Sequence, residues 1–492
     1  MKKQVLVVGG GASGLASAIW AAKSGARVTV IEHTERVGKK LLSTGNGRCN
    51  LTNAKLDGHC YRCPDPEFPM KALGAFGWKD TLRWFSSMGV LCKSRMETYY
   101  YPMSDQASSV LDALLLECGR LGVEIVTGCQ PMEIRQERKK GPPRFALSAS
   151  QGSFAGDGLI LACGSKAAPN TGSDGSGYVL AKALGHRVIK PLPALVQLRC
   201  QGNCYKSMAG IRTDAKLTLY IDGEPICQEE GELQLTDYGI SGIPVFQFSR
   251  FASRALDEKK RVQVEIDFLP FMDMEESRLF LSRRFADFGD RKMEDFLTGV
   301  VNKKLALVLL KLAGIPGGGL ASDVPGKQRE RLFGQLKSYQ ALVSSVNPFA
   351  NAQVCCGGVD ISEVNPKTME SRLVPGLFFA GEILDVDGIC GGYNLQWAWA
   401  SGKAAGTQAA QWGEHGAGAR KGLAEQGQGL AESRQGLAEH RQGLAKQGHG
   451  LEHRHGQEAK SQSRRGSLPG KAKRRENRDS DSSGNASDYP YI

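Results

Sequence analysis

The opening segment constrains the fold of this chain more than any other. Val5–Val8 is a short apolar run, GGGASG occupies 9–14, Ser13–Ser24 has helical patterning, and a second apolar run, Arg27–Ile31, ends at Glu32. Strand, glycine turn, helix, then strand with a terminal acid is how a doubly wound parallel sheet begins around a nucleotide. Gly9 permits the tight turn, Gly11 lets backbone approach a pyrophosphate, and Gly14 allows close helix–strand packing. The anion meets free N–H groups and the dipole at the helix N-terminus. Glu32 stands where a carboxylate accepts from a ribose hydroxyl and disfavours a 2′-phosphate, so the nucleotide is an adenosine diphosphate such as FAD or NAD.

A second stretch decides between them. PGLFFAGEILDVDG at 375–388 is an apolar strand ending at Gly381-Glu382, where an acid is placed to hold the ribityl hydroxyls of a flavin. GGYNLQWAWASG at 391–402, beginning at Gly391-Gly392, is a glycine-rich helix entry. Its N–H groups can face the pyrophosphate or the flavin N1–O2 edge. LILACGS at 159–165, containing Gly164, resembles the strand-plus-glycine motif at which many flavoproteins pass between domains. No second dinucleotide unit is present, since GIPGGGLASD at 314–323 follows a helical pattern rather than a strand. FAD is the expected resident cofactor, and NADH or NADPH would visit the flavin face transiently before substrate.

Residues 1–191 alternate strand-like and helical runs, with further strands expected at Val123–Thr127 and Leu159–Ala162. Residues 192–349 read as an inserted substrate domain. Its first part, 192–270, is β-rich, with strands at Leu195–Leu198, Lys216–Ile221 and Val262–Phe268 and no helix between them. Its second part, 271–349, is helical, over Glu275–Phe288, Lys292–Ala313 and Lys327–Leu342. The strand–turn–helix style returns over 350–412. The expected fold class is α/β: a Rossmann-type FAD-binding domain, a doubly wound parallel sheet, split by this insert. From 413 to 492 the composition changes. Gly-Leu-Ala recurs every seven residues from Gly422 to Gly443, with a degenerate copy at Gly450, but each copy has one Leu and at least one Gly. No two-position apolar seam forms, so the tail reads as disordered and inessential to chemistry.

The 13 cysteines are odd in number and scattered, which fits reduced thiols in a cytoplasmic protein rather than a disulfide framework. The apolar part of MKKQVLVVGGG is too short for a signal peptide, and no stretch approaches membrane-spanning length. The net charge of +12 comes from dispersed Lys and Arg without a recognition motif. A basic cleft for an anionic cofactor or acidic small-molecule substrate and a simply solvated surface fit it equally well, and both fit better than nucleic acid. Cys60-x-x-Cys63 is half a zinc site without a second half, so no metal is expected.

GNGRCNLTN at 45–53, TGSDGSGY at 171–178, GGVDISEVNPKTMES at 357–371 and GLFFAGEILDVDGICGGYNLQWAWASG at 376–402 together resemble the HI0933-like flavoproteins, over roughly residues 1–410. The resemblance implies an FAD domain interrupted by a β-barrel-like and helical insert. Members are catalogued as NAD(P)/FAD-dependent oxidoreductases or aminoacetone-oxidase-like enzymes, and one branch is assigned to reduction of 3-oxo-Δ4,6 bile acids. Residue by residue, it implies FAD contacts at Gly9, Gly11, Ser13, Gly14 and Glu32. It extends them through the 39–50 segment (Lys39, Lys40, Gly45, Asn46, Gly47, Arg48, Cys49, Asn50), then to Glu382, Tyr393, Asn394, Leu395 and Gln396. Met132 is implied to meet the adenine through its backbone. Many relatives have a His at the position of Asp237 in LTDYGISGIP (235–244), so the acid–base chemistry of that loop differs here.

Only His33, His59 and His186 precede the tail, and none is placed as a general acid. The proton donor is sought instead among Tyr, Cys, Lys or water. Tyr393 adjoins the helix entry and Tyr238 lies in the insert loop; an aromatic packing role competes for each. Arg48 can polarise a substrate carbonyl or hold the FAD phosphates. Cys49 occupies the sequence-order position of a redox cysteine but lacks a nearby partner.

The leading expectation is an NAD(P)H-dependent reductase of conjugated C=C bonds, with a 3-oxo-Δ4 or Δ4,6 steroid such as a 3-dehydro bile acid as substrate on family resemblance. The alternatives are an amine or aminoketone oxidase and a flavin-containing RNA- or partner-binding protein. Deleting 413–492 is expected to leave the flavin content of the purified protein unchanged, read from its visible absorbance; loss of flavin would place the tail inside the cofactor-binding unit.

Overall fold

The computed structural model describes residues 2–137 and 144–413, so the expected heptad tail beyond Gly413 lies outside the described residues. The opening run forms the centre of a five-stranded parallel sheet. Its order is Leu377–Phe379, Gly158–Leu161, Gln4–Val8, Arg27–Ile31, Glu124–Val126. Val5 to Val8 are at most 2% exposed, as a strand covered on both faces requires. The first crossover helix is Ala12–Lys23. The α/β Rossmann-type fold class read from the sequence is the one observed.

The sheet is completed by a strand from far along the chain, and the helix that follows it, Tyr393–Gln411, lies against the first helix. Glycine makes that approach possible. A Cβ on Gly402 would stand 2.8 Å from the Ser13 carbonyl oxygen, and one on Gly406 2.2 Å from that of Ser17. The closing helix is also tied by its two buried indoles. Trp397 Nε1 donates to the Gly381 carbonyl at 3.1 Å and Trp399 Nε1 to that of Leu51 at 3.0 Å.

Between the two parts of the sheet the chain leaves along Val188–Ala194 and returns along Val354–Val359, an antiparallel pair. The excursion contains a closed six-stranded antiparallel barrel. Its strands, in spatial order, are Leu198–Cys200, Gly239–Ser241, Glu224–Thr236, Arg212–Ile221, Val262–Asp267 and Tyr339–Val346. Ala215, Leu217 and Leu219 are buried in alternation with more exposed neighbours, and Val262, Val264 and Ile266 do the same.

Several expectations for this region are corrected. The run Leu195–Leu198 is mostly the crossing from the paired exit strand into the barrel. The strand Glu224–Thr236 was hidden by its charge, because one of its faces meets solvent. A helix, Ile243–Asp257, interrupts the β-rich part and packs Val245, Phe248 and Ala252 into the barrel core. The helical part ends early: Gly326–Lys337 is followed by the barrel-closing strand Tyr339–Val346, whose partners are distant in sequence. The helix expected over Lys292–Ala313 is two, Met293–Phe296 and Lys303–Ala313, the second capped by the Asn302 side chain, which accepts from the Lys304 N–H at 3.0 Å.

Gly406→Ala places a methyl group against backbone that cannot rotate away, and is expected to cost about 1–3 kcal/mol. Gly334→Ala, on the helix Gly326–Lys337 where a Cβ meets nothing within 4 Å, should be neutral or stabilising by up to about 1 kcal/mol. Thermal unfolding of both variants checks this; equal melting temperatures would remove the special role of the helix contact.

Candidate active site

A cavity of about 660 Å³ runs along the ends of the sheet strands, within the roughly 300–1,000 Å³ of small-molecule and cofactor sites. Gly9, Gly11, Ser13 and Glu32 line it from the first motif, and Lys39, Lys40, Gly45, Asn46, Arg48 and Asn50 from the following segment. Gly164, Glu382, Gly392, Asn394 and Leu395 line it from later in the chain. Two helix N-termini therefore open on one space, that of Ala12–Lys23 behind Gly11 and that of Tyr393–Gln411 behind Gly392. Both present free N–H groups and positive dipole ends to it.

The glycines of the first motif differ in what they do. Gly9 has φ +105°, and a Cβ there would lie 2.5 Å from the Ala162 carbonyl oxygen. At Gly14 a Cβ would stand 1.8 Å from the Gly9 oxygen, so Gly14 serves packing and does not line the cavity. Gly11 has ordinary extended backbone and nothing within 4 Å of a Cβ, because that atom would project into the cavity. Packing does not require glycine there, whereas a ligand held against the backbone does.

Glu32 is buried and anchored by both oxygens. Oε2 accepts from the Gly10 N–H and Oε1 from the Thr34 N–H, each at 2.7 Å. A carboxylate has about four acceptor positions, so lone pairs remain for ribose hydroxyls. Further along, Lys40 Nζ donates to Glu382 Oε2 at 2.6 Å, and Ser165 Oγ donates to the same oxygen at 3.2 Å. The open cradle at Gly11, the fixed acid at Glu32 and the two helix N-termini fit an adenosine-diphosphate cofactor laid across the sheet ends.

Other expected residues are placed elsewhere. Cys49 is fully buried with its thiol pushed up to about 12 by burial, so it stays protonated and unreactive, and it does not line the cavity. Gln396 is also fully buried and serves structure: its Oε1 accepts from Thr52 and Thr81 and its Nε2 donates to the Phe76 carbonyl. Tyr393 turns away from the cavity and packs edge-on against Tyr61, with ring centroids 6.1 Å apart. Tyr238 sits at the barrel rim, where its hydroxyl accepts from Asn347 at 3.0 Å and Arg199 covers its ring; neighbouring Asp237 is exposed and also off the cavity. Met132 is exposed, and Gln130 and Pro131 take the cavity wall instead. Gly47 and Gly381 do not line it, and a Cβ on Gly381 would stand 2.5 Å from Ser13 Oγ.

Among the lining residues that the sequence pattern did not single out are two tyrosines. Tyr99 and Tyr101 alternate on the strand Tyr99–Pro102 and both face the cavity, while Tyr100 between them stacks on Trp78. Three consecutive tyrosines on a short strand were the available signal, since alternate positions share a face. Burial pushes the Tyr101 phenol up, partly offset by the Arg95 guanidinium 5.3 Å above its ring and by Arg48. Tyr101 therefore remains a neutral O–H donor. Tyr99 lies beside Gly391, where a Cβ would approach its ring to 3.0 Å.

The family model described as HI0933-like protein Rossmann domain matches residues 3–408. The chain belongs to this HI0933-like family. A 3-dehydro-bile acid delta(4,6)-reductase of Clostridium scindens is 46% identical over 407 residues, covering 82% of this chain and 98% of the relative. Ribosomal RNA dihydrouridine synthases of Haemophilus influenzae and Escherichia coli are 28% and 27% identical, each over 80% of this chain and 96% and 95% of their own lengths.

Gly11→Val is expected to purify folded, with a melting temperature near that of the wild-type apoprotein, and without flavin. Loss of folding would instead make Gly11 a packing residue like Gly14.

Proposed function

We propose that this chain is an FAD-dependent reductase that saturates a C=C bond conjugated to a ketone in a steroid-like acid such as a 3-dehydro bile acid. NADH or NADPH is the proposed hydride source. One observation carries the reading: the cavity lined by the glycine loop and Glu32 is also lined by exposed Arg48 and half-buried Tyr99 and Tyr101. The relative from Clostridium scindens supports the substrate class. The two synthases support the bond type. Dihydrouridine is uridine with its C5–C6 double bond, conjugated to the C4 carbonyl, saturated.

Bound at this site, FAD supplies the hydride-transfer chemistry. The chain binds and orients. Gly11 and the first helix N-terminus would receive the pyrophosphate, Glu32 the adenosine ribose, and Glu382 the ribityl hydroxyls, with Lys40 and Ser165 holding its carboxylate. The second helix N-terminus, at Gly392, opens on the same cavity and would favour negative charge on the bound cofactor. On the substrate side, Arg48 draws electron density to the carbonyl oxygen. Tyr101, kept protonated by burial, donates to that oxygen or to the adjacent carbon, and solvent returns the proton. Arg95, paired with Asp105 at 2.8 Å, holds the Tyr101 ring in place.

Anaerobic stopped-flow on the yellow holoprotein tests the reading. NADH or NADPH should bleach the flavin, and a 3-oxo-Δ4 steroid acid should restore its colour. Bleaching by an amine but not by nicotinamide would make the protein an oxidase. Recovery with unmodified ribosomal RNA and not with the steroid would make it a uridine reductase.

A further inference from the structure

The barrel helix Ile243–Asp257 enters the cavity through two side chains, Ile243 and Phe246, one helical turn apart. Its start is fixed by backbone. Gly239 and Gly242 have φ +155° and +112°, and a Cβ on either would lie 2.3 Å from a carbonyl oxygen, that of Leu198 or Glu232. Pro244 stands in the first turn, where its missing N–H is not needed. From that start the 3.6-residue period sends Val245, Phe248 and Ala252 into the barrel core. Phe246 packs instead toward Leu195, Val354 and Cys390, and Ile243 remains 63% exposed at the cavity wall. That leaves an apolar side chain on the cavity wall with room for a ligand to cover it.

This helix is bound to the cofactor half of the molecule rather than resting on it. Gln247 Oε1 accepts from the Cys390 N–H at 2.9 Å, and the Gln247 carbonyl accepts from Arg62. One turn later Arg250 pairs with Asp387 at 3.0 Å, with both side chains under a tenth exposed. Arg62 also lies 4.9 Å above the ring of Phe251. These contacts hold Ile243 and Phe246 in register with Ile389 and Cys390, which line the same cavity next to Gly391 and Gly392. The same cavity is lined by the polar group of Arg48, Tyr99 and Tyr101.

We propose that Ile243 and Phe246 are the specificity-determining residues of this enzyme, forming with Leu195 and Ile389 an apolar wall against which a flat, fused-ring ketone lies. The proposal rests on the reductase reading for its choice of ligand, but it concerns binding and is testable without turnover. A fused-ring steroid acid fits because it offers one broad apolar face to this wall and a carbonyl or carboxylate edge to Arg48 and the tyrosines. A nucleobase would leave its polar edges facing aliphatic carbon, which is unfavourable without hydrogen-bond partners.

The test titrates oxidised full-length holoenzyme with a 3-oxo-Δ4 steroid acid in the absence of nicotinamide, following the perturbation of the flavin spectrum. Ile243→Asp and Phe246→Ala should each raise the Kd by about tenfold or more, the loss expected for an apolar contact of this size. Ile243→Val and Phe246→Leu should bind within about threefold of wild type. Flavin content should be unchanged in Ile243→Asp, whose side chain is already open to solvent, so that a raised Kd is not a lost cofactor. Wild-type binding without reduction would end the functional reading and leave this wall assigned. Unchanged Kd in both disruptive variants, or no binding of the steroid to wild type, would overturn the inference.

Discussion

Gly402 and Gly406 carry the last described helix within backbone distance of the first. A single methyl group at Gly406 would stand 2.2 Å from the Ser17 carbonyl oxygen. Much else depends on that contact. It brings the strand Leu377–Phe379, the Gly381-Glu382 turn and the Gly392 helix entry beside a glycine loop formed almost four hundred residues earlier in the chain. Without it the Ala12–Lys23 helix would present one N-terminus to solvent, and no cavity would exist between two of them. Overpacking that interface separates the two sides of the cavity, because the indoles of Trp397 and Trp399 fix Gly381 and Leu51 relative to the same helix.

The electrostatics follow from the same arrangement. Two positive helix ends and the side chains of Lys39, Lys40 and Arg48 converge on one cavity, and a dianionic pyrophosphate is the complement. The acids in it are held in place rather than left to swing: Glu32 by two backbone N–H groups, Glu382 by Lys40 and Ser165. A carboxylate fixed this way presents its remaining lone pairs in a set direction, which is how an anionic side chain can serve an anionic cofactor by accepting from its sugar hydroxyls. The burial that preserves the Tyr101 phenol acts more strongly on Cys49, which becomes a packing residue with a protonated thiol.

The nucleotide half was legible because its signals are local. Val5–Val8, the glycine loop and Glu32 lie within one strand–helix–strand unit, and the period of the apolar residues gives each element directly. Individual contacts were less legible. Asn394 and Gln396 are two residues apart, yet Asn394 lines the cavity while Gln396 is bonded inside the protein; a motif match names the segment, and the helical period decides which residue points outward. The insert was least legible. Glu224–Thr236 looks too charged for a strand and Tyr339–Val346 looks like a continuing helix, because what makes each a strand is pairing with residues far away.

These differences in legibility reflect how the two ends of the cavity are made. The cofactor end is shaped by backbone: glycines that admit a close approach, N–H groups that face an anion, and one acid set by two amides. Such a surface tolerates little change and can be read from a short motif. The other end is shaped by side chains on elements whose positions are fixed by barrel pairing, since the helix bearing Ile243 and Phe246 starts where Gly239 and Gly242 meet the strands Leu198–Cys200 and Glu224–Thr236. Exchanging those side chains alters what the cavity accepts without disturbing the backbone that holds the cofactor. Relatives that share the chain over nearly their full lengths, yet are named for a bile acid and for ribosomal RNA, are the divergence that this division of labour permits. The apolar pair on the barrel helix is then the physical difference to seek first between a site for fused rings and a site for a polar base.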